Sequence, residues 1–137
     1  MKEFVIGSLT GIVGVVVGIY FSYLIGIKLQ REWMKREAFS DFYSTFIETI
    51  YYLEGAREDL FEAIPNFLPE HERAKILFYP YLRTCNIKRF DIAWKEYYDE
   101  CRKYYQPPKS PLMEDEKKRC QGELLSKIKV LIDVAKE

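Results

Sequence analysis

Three features of the 137-residue sequence predict an all-α fold in which one N-terminal transmembrane helix continues into a small cytosolic helical bundle. From Phe4 to Ile27 there is no Asp, Glu, Lys, Arg or His. Beyond that run, apolar residues recur at three- and four-residue spacing along successive segments, the period of a helix with one buried face. No segment alternates apolar and polar residues between hairpin turns, as a half-exposed strand would.

The charge-free run reaches about 36 Å as a helix at 1.5 Å per residue, enough to cross a hydrocarbon core of about 30 Å. It is too long for the apolar core of a cleaved secretory signal and has no A-x-A-like exit. Residues 1–29 therefore read as an uncleaved transmembrane signal anchor. Lys28, Arg31, Lys35 and Arg36 follow the run, whereas only Lys2 precedes it. That asymmetry assigns residues 30–137 to the cytoplasm as an α-helical domain, with the N-terminus outside. Trp33 lies among these cations. Together the five residues read as a headgroup anchor, because indole favours the membrane boundary and each cation gains about 1 kcal/mol near anionic lipid. The lipid bilayer is the first partner expected.

Within the run, "GSLTGIVGVVVG" places Gly7, Gly11, Gly14 and Gly18 within an arc of about 60°, with Ser22 at its edge. Small residues four apart let membrane helices approach closely. This face predicts a contact with another transmembrane helix, from a second copy or from a partner protein.

No proline or glycine interrupts Ile27 to Glu54, so one helix is expected from about Phe4 to Leu53. Phe39, Phe42, Tyr43, Phe46, Ile50 and Leu53 form its cytosolic apolar stripe. In "AREDLFEAIPNFLP", Leu60, Phe61 and Ile64 suggest a short helix that Pro65 stops, and Pro69 opens another that ends before Pro80. "NIKRFDIAWKEYYDECRKYY" is the most regular segment: Asn86 is a plausible N-cap, and Phe90, Trp94, Tyr97, Cys101 and Tyr104 share one face. After "QPPKSP", Ser110 as N-cap, Pro111 and the acidic Glu114, Asp115 and Glu116 announce a last helix. Its stripe is Met113, Cys120, Leu124, Ile128, Leu131 and Ala135.

Composition removes several functional classes. Twenty-one basic residues balance twenty-one acidic ones, so the chain as a whole lacks the positive footprint of a nucleic-acid binder. Cys85, Cys101 and Cys120 are too few and too irregularly spaced for a disulfide framework and suit a reducing compartment as free thiols. The lone histidine, His71, rules out H-E-x-x-H zinc chemistry and paired Glu-x-x-His di-iron motifs. A zinc site built from His71 and the three cysteines is disfavoured because Cys101 and Cys120 fall on apolar stripes. His71 itself, beside Pro69 at a charged helix start, is expected at the surface. No catalytic site, metal or cofactor is expected.

Aromatic residues make up 16% of the chain, and Tyr51–Tyr52, Tyr97–Tyr98 and Tyr104–Tyr105 are adjacent pairs. Neighbouring helical positions diverge by about 100°, so one tyrosine of each pair belongs at the rim of the core.

With its single span, the basic "REWMKREAF" junction and the segments "FYPYL" and "KRFDIAWKEY", the chain resembles small bacterial inner-membrane proteins that have one N-terminal span and a short helical cytosolic domain. The resemblance implies an inner-membrane location and carries no activity. The function expected is interaction, as accessory subunit or scaffold of a membrane assembly. The alternative is an oligomerising membrane-active effector, and an anchored enzyme stands behind both.

Overall fold

The computed structural model describes the backbone of residues 2–55, 60–106 and 112–137, and side chains from Gly14 onward. Every regular element among the described residues is helical. The long helices are α1 (Lys2–Gly55), α2 (Leu60–Phe78), α3 (Ile87–Arg102) and α4 (Glu114–Lys136), with 3-10 turns at Tyr79–Tyr81 and Lys103–Tyr105. The chain divides into two compact units, Met1–Arg36 and Glu37–Glu137.

In the first unit α1 carries the apolar run. Among the described residues no helix is long and apolar enough to cross a membrane. Described side chains take in only residues 14–27 of the charge-free run, about 21 Å of helix, against a hydrocarbon core of about 30 Å. Val15, Val16, Ile19, Tyr20, Phe21 and Tyr23 are all exposed.

The second unit is an up-and-down bundle whose order can be followed through its side-chain contacts. Phe42 of α1 meets Phe78 of α2 at 4.8 Å between ring centroids, Phe46 meets His71 at 4.0 Å and Tyr52 meets Phe67 at 5.7 Å, so the two helices run antiparallel. Phe78 with Phe90 and Phe61 with Tyr104 reverse direction again between α2 and α3. Arg89 paired with Glu137, and Lys127 with Glu96 at 2.7 Å, do the same for α3 and α4. Phe42, Phe46, Leu53, Ile64, Leu68, Phe78, Phe90, Trp94, Tyr97, Leu124, Ile128 and Leu131 belong to one buried core.

The expected stripes hold in large part. Phe42, Phe46 and Leu53 are buried, Phe39 and Ile50 are half-buried, and Tyr43 lies outside the core. All five residues of the α3 stripe are buried. On α4, Leu124, Ile128, Leu131 and Ala135 are buried and Cys120 is half-buried, whereas Met113 is exposed because it precedes the helix as its N-cap. Ser110 and Pro111 lie outside the described residues. The helix start is instead secured by the Met113 backbone N–H donating to the Glu116 carboxylate at 3.1 Å. Asn86 does occupy the N-cap of α3, but its side chain makes no capping bond.

The two short helices expected around Pro65 and Pro69 are a single helix, α2, with both prolines inside it. Each interior proline deletes one backbone hydrogen bond and crowds the preceding turn, at a cost of about 3 kcal/mol. Four residues apart, they share one side of the helix, where Pro69 is exposed and Pro65 half-buried. The opposite side buries Leu60, Ile64, Leu68 and Phe78, each contributing roughly 1.5–3 kcal/mol, which offsets the two breaks.

Candidate functional site

His71 is fully buried, contrary to its expected surface position. Once α2 runs through Pro69, His71 takes its place in the line Ile64, Leu68, His71, Ala74, Phe78 that faces the core. Its ring stacks on Phe46 at 4.0 Å and 19°. Its polar atoms are matched from two other helices: Tyr97 Oη of α3 lies 2.5 Å from Nδ1, and Thr49 Oγ1 and the Thr45 carbonyl of α1 lie 3.1 and 3.3 Å from Nε2.

The partners decide the tautomer. A carbonyl oxygen only accepts, so Nε2 carries the hydrogen and shares it between Thr45 and Thr49, and Nδ1 accepts from the Tyr97 hydroxyl. Burial raises the Tyr97 phenol well above its ordinary value, which keeps it a donor. Burial lowers His71 from 6.5 to about 4, against a smaller upward push from the Thr45 carbonyl, so the ring is neutral at neutral pH.

Next to this cluster Cys101 is fully buried, and burial pushes its thiol up to about 12. A thiol so far from ionisation is a core residue, not a nucleophile. Cys120 is half-buried and Cys85 exposed. Among the described residues no three His, Cys, Asp or Glu side chains gather as a metal site. His71, Tyr97 and Thr49 thus form a closed polar knot that ties α1, α2 and α3 together.

The predicted contact residues fall in the first unit. Gly7 and Gly11 lie outside the described side chains. At Gly14 and Gly18 an added Cβ would meet nothing within 4 Å, so among the described residues no neighbour requires glycine there. Ser22, Lys28, Arg31, Trp33 and Arg36 are exposed and Lys35 is half-buried. In the second unit a hollow of 610 Å³ is lined by Tyr98, Arg102, Lys103, Tyr105 and Gln106, with Lys103 already paired to Glu100 at 2.6 Å.

Comparison with protein-family models, with curated proteins and with solved structures finds no match.

Proposed function

We propose that the protein is a single-span, membrane-anchored interaction protein, an accessory subunit or scaffold of a membrane assembly, with its N-terminus outside and its helical body in the cytoplasm. One observation carries this reading. The charge-free run Phe4–Ile27 is followed at once by Lys28, Arg31, Lys35 and Arg36, within an unbroken helix from Lys2 to Gly55. The body that follows has its one histidine locked into the core and the Cys101 thiol buried beside it, which favours binding over catalysis. Gly7, Gly11, Gly14, Gly18 and Ser22 are the proposed face for another transmembrane helix.

The test is extraction and association. The chain should remain with membranes in alkaline carbonate, with its body digested only from the cytoplasmic side. Gly11→Leu with Gly14→Leu should abolish self-association or co-purification of a membrane partner while leaving the chain carbonate-resistant. Release by carbonate would overturn the anchor, and unchanged association would overturn the glycine face. Dye leakage from vesicles that is lost in Gly11→Leu would move the assignment to a membrane-active effector.

A further inference from the structure

We infer that the corner joining α2 to α3 is a second membrane contact, one that seats the helical body on an anionic lipid surface. The inference rests on the anchored reading above. Its source is a local charge imbalance: from Arg73 to Phe90, "RAKILFYPYLRTCNIKRF", there are five basic residues and no acidic one, in a chain whose total charges cancel.

The fold turns that stretch into a surface. Ile76 and Leu77, at the end of α2, are 70% and 64% exposed, although adjacent helical positions diverge by about 100°. A single exposed aliphatic side chain is ordinary, but two in succession beside free cations are not. Tyr81 and Leu82 are half-buried in the turn, and Arg83 and Lys88 are exposed around it. Of the five cations, Arg89 is paired with Glu137, and Lys75 lies 5.0 Å from the Trp94 ring centroid. Arg73, Arg83 and Lys88 have no acidic partner among the described residues.

Within the second unit the corner packs beside that unit's first turns. Phe78 packs against Phe39 and Phe42, at 6.1 and 4.8 Å, and Phe39 is the third residue of this unit. The contact surface is thus at the end where the chain enters the bundle. Apolar side chains, tyrosine and unpaired cations together match the headgroup layer, where rings and aliphatic groups enter and cations meet anionic lipid. The occupant is therefore a phospholipid surface bearing negative charge.

Cys85, exposed within the corner, supplies the probe site. The full chain carrying Cys120→Ser is labelled at Cys85 with a small fluorophore and reconstituted into vesicles containing a headgroup nitroxide quencher. With phosphatidylglycerol present, the label should be quenched. Arg83→Glu with Lys88→Glu should cut the quenched fraction at least roughly threefold, as should Ile76→Ser with Leu77→Ser. Both pairs are exposed, so thermal unfolding checks that the body stays folded. Carbonate extraction of the same samples separates the two claims. A chain that washes out defeats the anchor, and this inference with it. A chain that stays, with its label unquenched or equally quenched in neutral phosphatidylcholine, defeats this inference alone. So does shielding of the label that rises with protein concentration, because the surface then takes a protein.

Discussion

Two stretches of α1 use similar residues for opposite ends. Before Arg36 its described aromatic and aliphatic side chains other than the half-buried Ile27 are exposed, Phe21 at 59% and Trp33 at 63%. After Glu37, Phe42 and Phe46 are buried completely against α2 and α3. Hydrophobicity alone therefore does not say what a helix packs against; its distribution around the axis does. A run apolar all round suits a medium that is itself apolar, whereas a one-sided stripe requires protein partners on one side and water on the other.

The strongest way to break this contrast is to truncate one aromatic ring on each side of it. Phe46→Ala opens a cavity where Phe42, His71 and Tyr97 all contact the ring and should cost the body about 3–5 kcal/mol. Phe21→Ala removes an exposed ring of the first unit and should leave the body's unfolding unchanged. Chemical denaturation of both purified variants, followed through the tryptophan signal, checks the pair. Equal losses would mean that the first unit contributes to folding of the second.

The next largest effect concerns the polar knot, which the first unit has no counterpart for. The folded body takes up the His71 proton only near pH 4, while an unfolded chain takes it up near 6.5. Between those values the unfolded state binds more protons, so the contribution is complete above pH 6.5 and is lost as the pH falls to 4. The loss amounts to about 3 kcal/mol. Among the described residues its hydrogen-bond partners are Tyr97, Thr49 and the Thr45 carbonyl, none of them a carboxylate. Stability measured from pH 7 to 4 should show this step on top of the titration of surface carboxylates. His71→Phe with Tyr97→Phe should remove the step, at a cost of about 1–3 kcal/mol at pH 7 because the buried Thr49 hydroxyl loses its imidazole partner. A step that persists in the double variant belongs to other groups.

The knot also marks where the sequence stops being legible. Periodicity alone locates the buried faces of α1, α3 and the later turns of α4, because Phe42, Phe46 and Leu53, or Leu124, Ile128 and Leu131, recur at helical spacing. The rim tyrosines follow in the same way: Tyr97 and Tyr104 are buried, and Tyr98 and Tyr105 are more open. In α2 the local rule and the global fold disagree. Pro65 and Pro69 are strong helix breakers, yet the apolar line from Leu60 to Phe78 continues past both, and tertiary burial outweighs the local penalty. With the helix cut at Pro69, His71 has no reason to be inside. Followed through the prolines, its spacing from Leu68 and Ala74 puts it in the core. Thr49 is hidden by the same habit, as a polar residue in the apolar line Phe42, Phe46, Leu53. The proposed glycine face and orientation rest on patterns of the sequence, for which the described residues supply no partner within the chain.

The smallest effect sharpens the comparison through glycine. Gly122 lies within α4, exposed, with nothing within 4 Å of an added Cβ, and the same space surrounds Gly14 and Gly18 of α1. In α4 the surroundings are water, so Gly122→Ala should stabilise the body by about 1 kcal/mol, through the backbone freedom that glycine loses on folding. A rise in denaturation midpoint at constant slope would show it; no rise would mean that this site is occupied in the folded protein. If the glycines of the first unit were equally incidental, Gly18→Ala would pass unnoticed in any association assay. A face used for close helix approach would instead weaken on adding even one methyl, because that group holds the two backbones apart. Opposite responses to the same substitution, stabilising in α4 and disruptive to association in α1, would separate glycine that is merely tolerated from glycine that makes contact.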